Sequence, residues 1–259
     1  MRVAAIIEYE GTNFCGWQLQ DGVRTVQGEV ERAFSEVANE PIRVITAGRT
    51  DTGVHASCQV IHFETDVERS NYSWLRGVNT LLPNDAALRW VGRAADDFHA
   101  RFCATGRWYR YVILNRPSRL ALLKGRVTHE YRPLDVEAMQ HAANFLVGKH
   151  DFSSYRAAHC QAKSPVRELR KFAVTRQGDF IHIEVYADAF LHHMVRNLAG
   201  VLMTIGAGER EPLWAHEVLE ARDRTQGGIT ARPDGLYLTR IEYPDQFAIP
   251  LLSPDTGLW

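Results

Sequence analysis

Hydrophobic and polar residues alternate along the first half of the chain in patterns that predict strands and helices in mixed order. Strand-like runs occupy residues 2–8, 42–47, 57–65 and 87–93. Two helices with apolar residues at helical spacing lie between them, and Thr25 and Ser70 are their predicted N-caps. The predicted order is therefore strand, helix, strand, strand, helix, strand.

The second half repeats this arrangement loosely. Strands are predicted at residues 107–114, 166–175, 180–186 and 235–243, and helices at 135–147 and 192–205, with a shorter helix after Pro212. Gly178 marks a tight turn between two of the strands. Strands mixed with helices and joined by short turns favour an α+β fold, in which helices pack on one face of an antiparallel sheet.

Composition restricts the class of protein. A chain of 259 residues with 45% hydrophobic and 24% charged residues fits a soluble globular protein of one large or two ordinary domains. It contains no apolar run near the ~18 residues that a membrane span needs. Its first residues predict a strand and show no signal-peptide pattern. Its four cysteines form no Cys-x-x-Cys pair. We therefore expect a reduced, cytoplasmic protein that does not enter a membrane.

The distribution of charge is more informative than the net charge of −1. Residues 101–126 contain seven Lys and Arg and no acidic residue, and residues 156–176 contain six with Glu168 as the one acid. Aromatic residues, among them Phe102 and Trp108, interrupt the first window. Arginine binds phosphates and aromatic rings stack on unstacked bases. Either window alone equally fits a solvated surface, but the two together favour RNA as a partner.

One short polar loop presents a single acidic residue between two predicted strands. Asp51 lies in it beside Arg49, and Gly48 and Gly53 bracket the loop, where we expect them to adopt positive φ angles. A carboxylate displayed in this way can act as a nucleophile, a general base, a metal ligand or a turn cap. The residue types alone leave these four alternatives open.

The loop sequence Gly48-Arg49-Thr50-Asp51-Thr52-Gly53-Val54-His55-Ala56 resembles the catalytic motif of the tRNA pseudouridine synthase A (TruA) family of bacterial type. Similar segments follow the family order over nearly the whole chain: Tyr9-Glu10-Gly11-Thr12, Phe14-Cys15-Gly16-Trp17-Gln18, Gly77-Val78-Asn79, Leu82-Pro83, Asp96-Asp97-Phe98-His99-Ala100-Arg101-Phe102, Arg107-Trp108-Tyr109-Arg110-Tyr111, His150-Asp151-Phe152, Ala189-Phe190-Leu191-His192-His193-Met194-Val195-Arg196-Asn197 and Gly235-Leu236-Tyr237-Leu238. Their number and order make a chance match very unlikely.

The resemblance implies a fold and a domain organisation. The expected pseudouridine-synthase fold is α+β and has two ferredoxin-like (RRM-like) halves, whose mainly antiparallel sheets join around a central catalytic cleft. We assign residues 1–104 to an N-terminal domain with the catalytic loop, residues 105–244 to a C-terminal domain that completes the cleft, and residues 245–259 to a tail without a recognisable motif. The family also implies a homodimer.

The implied activity is isomerisation of uridine to pseudouridine at nucleotides 38, 39 and 40 of the tRNA anticodon stem-loop. Asp51 corresponds to the family nucleophile, and it could attack either the ribose carbon or C6 of the uracil ring. The reaction needs no redox step and no group donor, so we expect no cofactor. This agrees with the lack of a Rossmann or P-loop glycine pattern.

Further residues take their expected roles from the same resemblance. Arg196 is placed against the catalytic carboxylate, Tyr109 stacks on the target base, and Arg49 fills the space that the flipped uridine leaves. Two segments match RNA-contacting segments of the family: Phe98, His99, Ala100, Arg101 and Phe102, and His159, Cys160, Gln161, Ala162 and Lys163. The ordinary alternatives are a helix-surface arginine for Arg196 and a core aromatic residue for Tyr109.

We expect no metal site, because His192 and His193 are adjacent and, on a helix, would diverge by about 100°. Two other functions have some support in the sequence. Asp51-Thr52-Gly53 and Asp255-Thr256-Gly257 both match the aspartic-protease triplet, but too little chain follows the second copy to form a second lobe. A non-catalytic RNA-binding module would also explain the basic windows, although it gives no reason for Asp51 beside Arg49.

Overall fold

The computed structural model describes residues 1–158 and 160–252. Its internal contacts divide the chain into two compact units. Of the described residues, the first unit contains 1–105 and 237–252, and the second contains the rest, residues 106–236. The predicted division instead continued the second domain to residue 244. The difference arises because the last strand returns to the first unit, where it pairs beside the strand that follows the Asp51 loop.

The first unit is built on a mainly antiparallel sheet with two helices. Its elements are β1 (Arg2–Tyr9), α1 (Val26–Ala38), β2 (Ile45–Thr46), β3 (His55–Glu64), α2 (Asn71–Leu81), β4 (Ala86–Arg93) and β10 (Leu236–Glu242). β1 pairs antiparallel with β3 and β4, β2 pairs antiparallel with β3, and β10 pairs parallel with β3. Rings from both helices and from β3 meet in the core, where Phe34, Phe63 and Trp74 contact one another.

Both predicted helix caps of this unit are confirmed. Thr25 accepts a hydrogen bond from the Gly28 N–H, and Ser70 accepts one from the Ser73 N–H. Each cap satisfies a backbone donor that the first helical turn would otherwise leave without a partner.

The second unit contains mainly antiparallel strands and three helices. Its elements are β5 (Gly106–Asn115), β6 (Thr128–Glu130), α3 (Val136–Asn144), β7 (Gly148–Asp151), β8 (Val166–Gln177), β9 (Phe180–Ala187), α4 (Met194–Gly206) and α5 (Trp214–Ala221). β9 lies between β5 and β8 with antiparallel pairing on both sides. β7 pairs antiparallel with β8, and β6 pairs parallel with β5. The mixed α+β architecture is thus as predicted.

A side chain takes the place of a neighbouring strand along part of β8. Among the described strands, β8 pairs with β7 only from Val166 to Leu169. Further along, the Gln140 amide of α3 donates to the Phe172 carbonyl at 3.2 Å and accepts from the Val174 N–H at 2.7 Å. Gln140 therefore satisfies one donor and one acceptor on the outer side of the strand.

Some predicted strands are shorter than expected, and two strands were not predicted. The strand expected at residues 42–47 is reduced to β2, because the Ile42 and Val44 N–H groups bond to Ser35 and Glu31 side chains of α1. β6 and β7 span three and four residues, which is too short to give a periodic signal.

Two general expectations can also be compared with the structure. All four cysteines lie within the described ranges, and all are free. Within residues 1–158 and 160–252, none of the helices is both long and apolar enough to cross a membrane.

Candidate active site

Asp51 lies on the loop of residues 47–54 that joins β2 to β3. Its side chain is half-buried, whereas Arg49 and Thr52 are exposed. The Val54 N–H donates to the Asp51 carbonyl at 3.1 Å, and Gly53 has φ +79°. A type II turn requires this φ at its third residue, so the predicted need for glycine at position 53 is confirmed. The same expectation for Gly48 is wrong, since Gly48 is not among the residues with positive φ.

Thr50 attaches the loop to the N-terminal segment at two points. Its buried hydroxyl lies 2.8 Å from the Tyr9 hydroxyl at the end of β1, and its carbonyl accepts from the Trp17 N–H at 3.0 Å. Asp51 is the next residue along the chain. The backbone from which the carboxylate projects is therefore held through both the side chain and the carbonyl of its neighbour.

Gln59 of β3 contacts both the Tyr9 hydroxyl and the start of the Asp51 loop. Its amide nitrogen donates to the Gly48 carbonyl at 2.6 Å and lies 3.4 Å from the Tyr9 hydroxyl. Burial raises the pKa of Tyr9 to about 12, against the opposing effect of its hydrogen bonds to Thr50 and Gln59. The phenol is therefore protonated at neutral pH.

Two glycines of the N-terminal segment let its backbone approach the Asp51 loop closely. A Cβ at Gly11 would lie 2.0 Å from the Val54 carbonyl oxygen, and one at Gly16 would lie 2.8 Å from the Thr50 oxygen. Gly11 also donates its N–H to Nδ1 of the buried His55 at 2.8 Å. The sequence motifs at residues 9–12 and 14–18 therefore form the surface on which the Asp51 loop rests. The sequence analysis matched both motifs to the family but assigned them no role.

The first predicted RNA-contacting segment is a turn whose side chains divide into two groups. Phe98 and Ala100 are fully buried, so they present no side-chain surface to a partner. Arg101 and Phe102 are exposed, and the His99 ring lies 4.3 Å from the Phe102 ring. The His99 Nδ1 atom accepts the N–H groups of both Arg101 and Phe102 at 3.2 Å.

Some of the positive charge in the two basic windows is compensated in the folded chain. Arg110 and Lys171 both pair with Glu184 of β9, at 2.6 and 3.5 Å. Arg170 pairs with Glu168 at 2.9 Å. The sequence windows could not reveal Glu184, because β9 lies outside both windows and reaches their strands through sheet pairing. Part of the basic surface that favoured RNA is therefore engaged in ordinary ion pairs, two of them across strands.

Arg196 and Tyr109 lie in the second unit. Tyr109 is on β5 with 9% of its surface exposed, and its ring meets Phe190 edge-on at 5.0 Å. Arg196 is in the first turn of α4, and its Nε donates to the Ala231 carbonyl at 2.8 Å. The Ala231 N–H in turn donates to the Arg196 carbonyl at 3.1 Å. The loop after α5 thus fixes the Arg196 guanidinium from one side.

A hydrogen-bonded group that the sequence analysis missed holds this loop. Arg224 donates to the side-chain oxygens of Asn197 and Thr230 and to the Gly228 carbonyl, at 2.9 to 3.1 Å. Thr230 also donates to Asn197 at 2.6 Å. A Cβ at Gly200 would lie 1.8 Å from the Ile229 carbonyl oxygen, so the loop crosses α4 at close range.

The expectation that His192 and His193 diverge on a helix is wrong. α4 begins at Met194, and His193 is its N-cap with φ 60°. The two rings lie 4.1 Å apart at 44° to one another. The left-handed backbone at His193 brings the rings together, which helical geometry would not do. The expected absence of a metal and of a cofactor stays a prediction.

The second predicted RNA-contacting segment is irregular. Cys160, Gln161, Ala162 and Lys163 lie in a connection that leads to β8, and Gln161 and Lys163 are exposed. The Cys160 N–H donates to the Ala157 carbonyl at 3.1 Å. His159 lies outside the described residues, and so does the second protease-like triplet at residues 255–257.

Comparison with known proteins gives a consistent result. A family profile described as tRNA pseudouridine synthase matches residues 5–103 and 142–244. Over all 259 residues, the chain is 58% identical to tRNA pseudouridine synthase A of Nitrosococcus oceani, with 100% of each chain covered. It is 55% identical to the protein of the same name from Methylococcus capsulatus, covering 96% of this chain and 92% of the relative.

A more distant relative and a solved structure extend the comparison. tRNA pseudouridine synthase A of Colwellia psychrerythraea is 51% identical, with 96% of each chain covered. A solved structure described as a Cbf5-Nop10-Gar1 complex contains a chain with 10% identity and a TM-score of 0.37, covering 92% of this chain and 58% of that chain. That score is too low to support a conclusion about fold.

Proposed function

Since the chain belongs to the tRNA pseudouridine synthase family, we propose that it converts uridine to pseudouridine at nucleotides 38, 39 and 40 of the tRNA anticodon stem-loop, with Asp51 as the nucleophile. The enzyme class, an isomerase that acts on tRNA, follows from the family. The nucleotide positions and the role of Asp51 are our proposals.

The proposed reaction is a net isomerisation. The bond between C1′ of the ribose and N1 of uracil breaks, the base turns, and a bond between C1′ and C5 forms. C5 loses its proton to solvent, and N1 gains one. A carboxylate nucleophile can hold the intermediate covalently in the way that retaining glycosidases do. Attack at C1′ and attack at C6 of the ring both remain open.

The observation that carries this proposal is the construction of the Asp51 loop. The neighbouring Thr50 is buried and bonded on two sides, while the Asp51 side chain itself keeps access to solvent. Rigid support beneath an accessible carboxylate is what a nucleophile requires, because catalysis depends on holding reacting groups in position. A solvated carboxylate that served only as a cap would not need buried support from β1.

We assign the supporting roles by residue. Arg49, exposed beside Asp51, fills the space that the flipped uridine vacates. Tyr109 stacks on the target base. Arg196 pairs with the Asp51 carboxylate, as the family resemblance implies, and its hydrogen bond to the Ala231 carbonyl supports this role by holding the guanidinium in place.

The proposed RNA surface of the first unit consists of Arg101 and Phe102. Both are exposed, and the Arg101 guanidinium lies 5.6 Å from the centre of the Phe102 ring. A cation beside an exposed aromatic face suits a phosphate and an unstacked base. From the second segment, Gln161 and Lys163 offer exposed polar groups. We further propose a cytoplasmic homodimer, and light scattering at micromolar concentration tests the dimer.

The proposed function is tested by tritium release from tRNA that carries 5-tritiated uridine. The wild-type enzyme should release tritium from substrates labelled at position 38, 39 or 40, but not from a tRNA labelled only outside the anticodon stem-loop. Asp51→Asn and Asp51→Ala should abolish release while tRNA affinity and melting temperature stay near wild type. The hydrogen bond of the turn uses the Asp51 carbonyl, which both variants retain.

Each other outcome has a distinct meaning. Release at the wild-type rate from the Asp51 variants would show that another group is the nucleophile. A collapse of melting temperature would support the turn-cap interpretation. If the wild-type protein bound tRNA but released no tritium, the non-catalytic RNA-binding module would replace the proposed enzyme.

A further inference from the structure

We propose that Tyr9 is a positioning residue for the reaction, because its buried hydroxyl, acting through Thr50, fixes the backbone from which Asp51 projects. This inference rests on the proposed function of Asp51 as nucleophile. It adds a residue that is more than forty positions away in sequence and that does not itself touch the substrate.

The Tyr9 side chain has a fixed place at the end of β1. Its ring is 4% exposed and contacts the rings of Phe14 and Trp17, whose centres are 6.4 and 6.0 Å away. A hydroxyl buried in such surroundings costs free energy unless it is hydrogen-bonded. The 2.8 Å contact with Thr50 provides that bond. The aromatic packing and the hydrogen bond therefore hold the phenol in one position.

The contacts of the phenol also indicate the direction of the hydrogen bond. The Gln59 amide donates toward the Tyr9 oxygen at 3.4 Å. Burial keeps the phenol protonated at neutral pH. Tyr9 can therefore accept from Gln59 and donate its proton to the Thr50 hydroxyl, which satisfies both functions of the phenol.

The hydrogen bond can affect the reaction because Thr50 is the residue next to Asp51 in the chain. Trp17 holds the Thr50 carbonyl at 3.0 Å, and Tyr9 holds the Thr50 side chain. With both contacts in place, Thr50 cannot rotate about its backbone without breaking one of them. Without the Tyr9 contact, Thr50 can rotate and carry Asp51 with it. A displacement of about 1 Å in a reacting group can cost about a hundredfold in rate.

Four single variants and one double variant test the proposal. Tyr9→Phe and Thr50→Val each remove one hydroxyl and keep the volume, whereas Thr50→Ser keeps the hydroxyl. Tyr155→Phe is the matched control, since Tyr155 is fully buried in the second unit and its hydroxyl donates to the Ala215 carbonyl at 2.8 Å. Single-turnover rates at saturating tRNA, tRNA dissociation constants and melting temperatures are measured for each, at a temperature well below every transition.

We expect Tyr9→Phe and Thr50→Val to slow the single-turnover rate about ten- to hundredfold, with tRNA affinity within about twofold of wild type. Thr50→Ser should recover most of the rate. Tyr155→Phe should lower the melting temperature about as much as Tyr9→Phe and leave the rate unchanged. The double variant of Tyr9→Phe with Thr50→Val should be no slower than the slower single variant, because both remove the same contact.

Wild-type rates in Tyr9→Phe and Thr50→Val, or effects that multiply in the double variant, would overturn the proposal. Asp51→Asn in the same assay separates this failure from failure of the proposed function. If Asp51→Asn is inactive while Tyr9→Phe is fully active, the positioning inference alone is wrong. If Asp51→Asn is also fully active, the nucleophile assignment is wrong.

Discussion

The Asp51 loop and the turn of residues 98–102 are both short connections in the first unit, but the residues that they expose are held in different ways. Residues distant in sequence hold the Asp51 loop, since Tyr9 and Trp17 bond to Thr50 and Gly11 bonds to His55. Distant residues also hold the buried part of the turn, since Arg2 and Tyr243 donate to the Phe98 and Ala100 carbonyls and His62 accepts the Ala100 N–H. The N–H groups of the exposed Arg101 and Phe102 instead bond locally, to the ring of His99.

This difference matches the tasks that we propose for the two regions. Bond formation needs a carboxylate at one place, so a loop fixed by buried contacts from a second segment suits it. Binding of RNA phosphates and bases tolerates some adjustment, so local hydrogen bonds at the exposed Arg101 and Phe102 are sufficient. We therefore expect substitutions beneath the Asp51 loop to change turnover and substitutions on the turn to change affinity.

The largest effect should come from Gly11→Ala, which acts on the support of the Asp51 loop. The added methyl group would lie 2.0 Å from the Val54 carbonyl oxygen, so the backbone must move. We expect the unfolding free energy to fall by about 1–3 kcal/mol and single-turnover rates to fall at least about a hundredfold. Denaturant titration and tritium release measure the two effects.

Gly178→Ala is the control for this variant. Gly178 lies in the hairpin turn between β8 and β9 with φ +58°, and a Cβ there would meet open space in the described part of the chain. It should cost about 1–2 kcal/mol through backbone strain alone and leave turnover unchanged. Equal turnover in the two variants would remove the distinction between the supported loop and an ordinary turn.

A smaller effect is expected for Arg196→Lys. This variant tests whether a residue of the second unit also affects turnover. Lysine keeps the charge but cannot donate to the Ala231 carbonyl and to a carboxylate through one planar group. We expect turnover to fall about tenfold or more, with a much smaller change in tRNA affinity. Near-normal single-turnover rates in both Arg196→Lys and Arg196→Ala would place Arg196 outside the active site.

The smallest effect should come from Arg101→Ala, which tests the affinity side of the comparison. If Arg101 meets one phosphate, the slope of log affinity against log salt should decrease by roughly one unit. Turnover at saturating tRNA should stay at the wild-type value. Binding titrations at several salt concentrations measure the slope, and an unchanged slope would exclude Arg101 from the interface.

Most of the fold could be predicted because its elements carry periodic patterns. Long strands such as β5 and β9, and helices with polar caps at Thr25 and Ser70, follow directly from spacing and residue type. The failures have local causes. The sequence of residues 42–44 predicts a strand, but side chains of α1 accept hydrogen bonds from the backbone N–H groups that a neighbouring strand would otherwise bind. The sequence predicts that His192 and His193 are helical, but α4 begins only after His193, whose backbone is in the left-handed conformation.

The candidate site was less accessible to sequence reasoning. The Asp51 motif could be recognised, because its loop residues are contiguous. The contacts that support the loop could not be predicted, because Tyr9 and Gln59 approach the loop only after β1 and β3 pair. The ion pairs of Glu184 were hidden for the same reason, since they depend on which strands become neighbours.

The Gln140 amide that bonds to β8 has a consequence for how copies of the protein behave at high concentration. A strand edge with available N–H and C=O groups can recruit a strand from another molecule and begin aggregation. Gln140 occupies one donor and one acceptor in the middle of that edge, so an incoming chain could not form a continuous ladder there. The side chain therefore contributes to colloidal stability, which is a property of many molecules rather than of one.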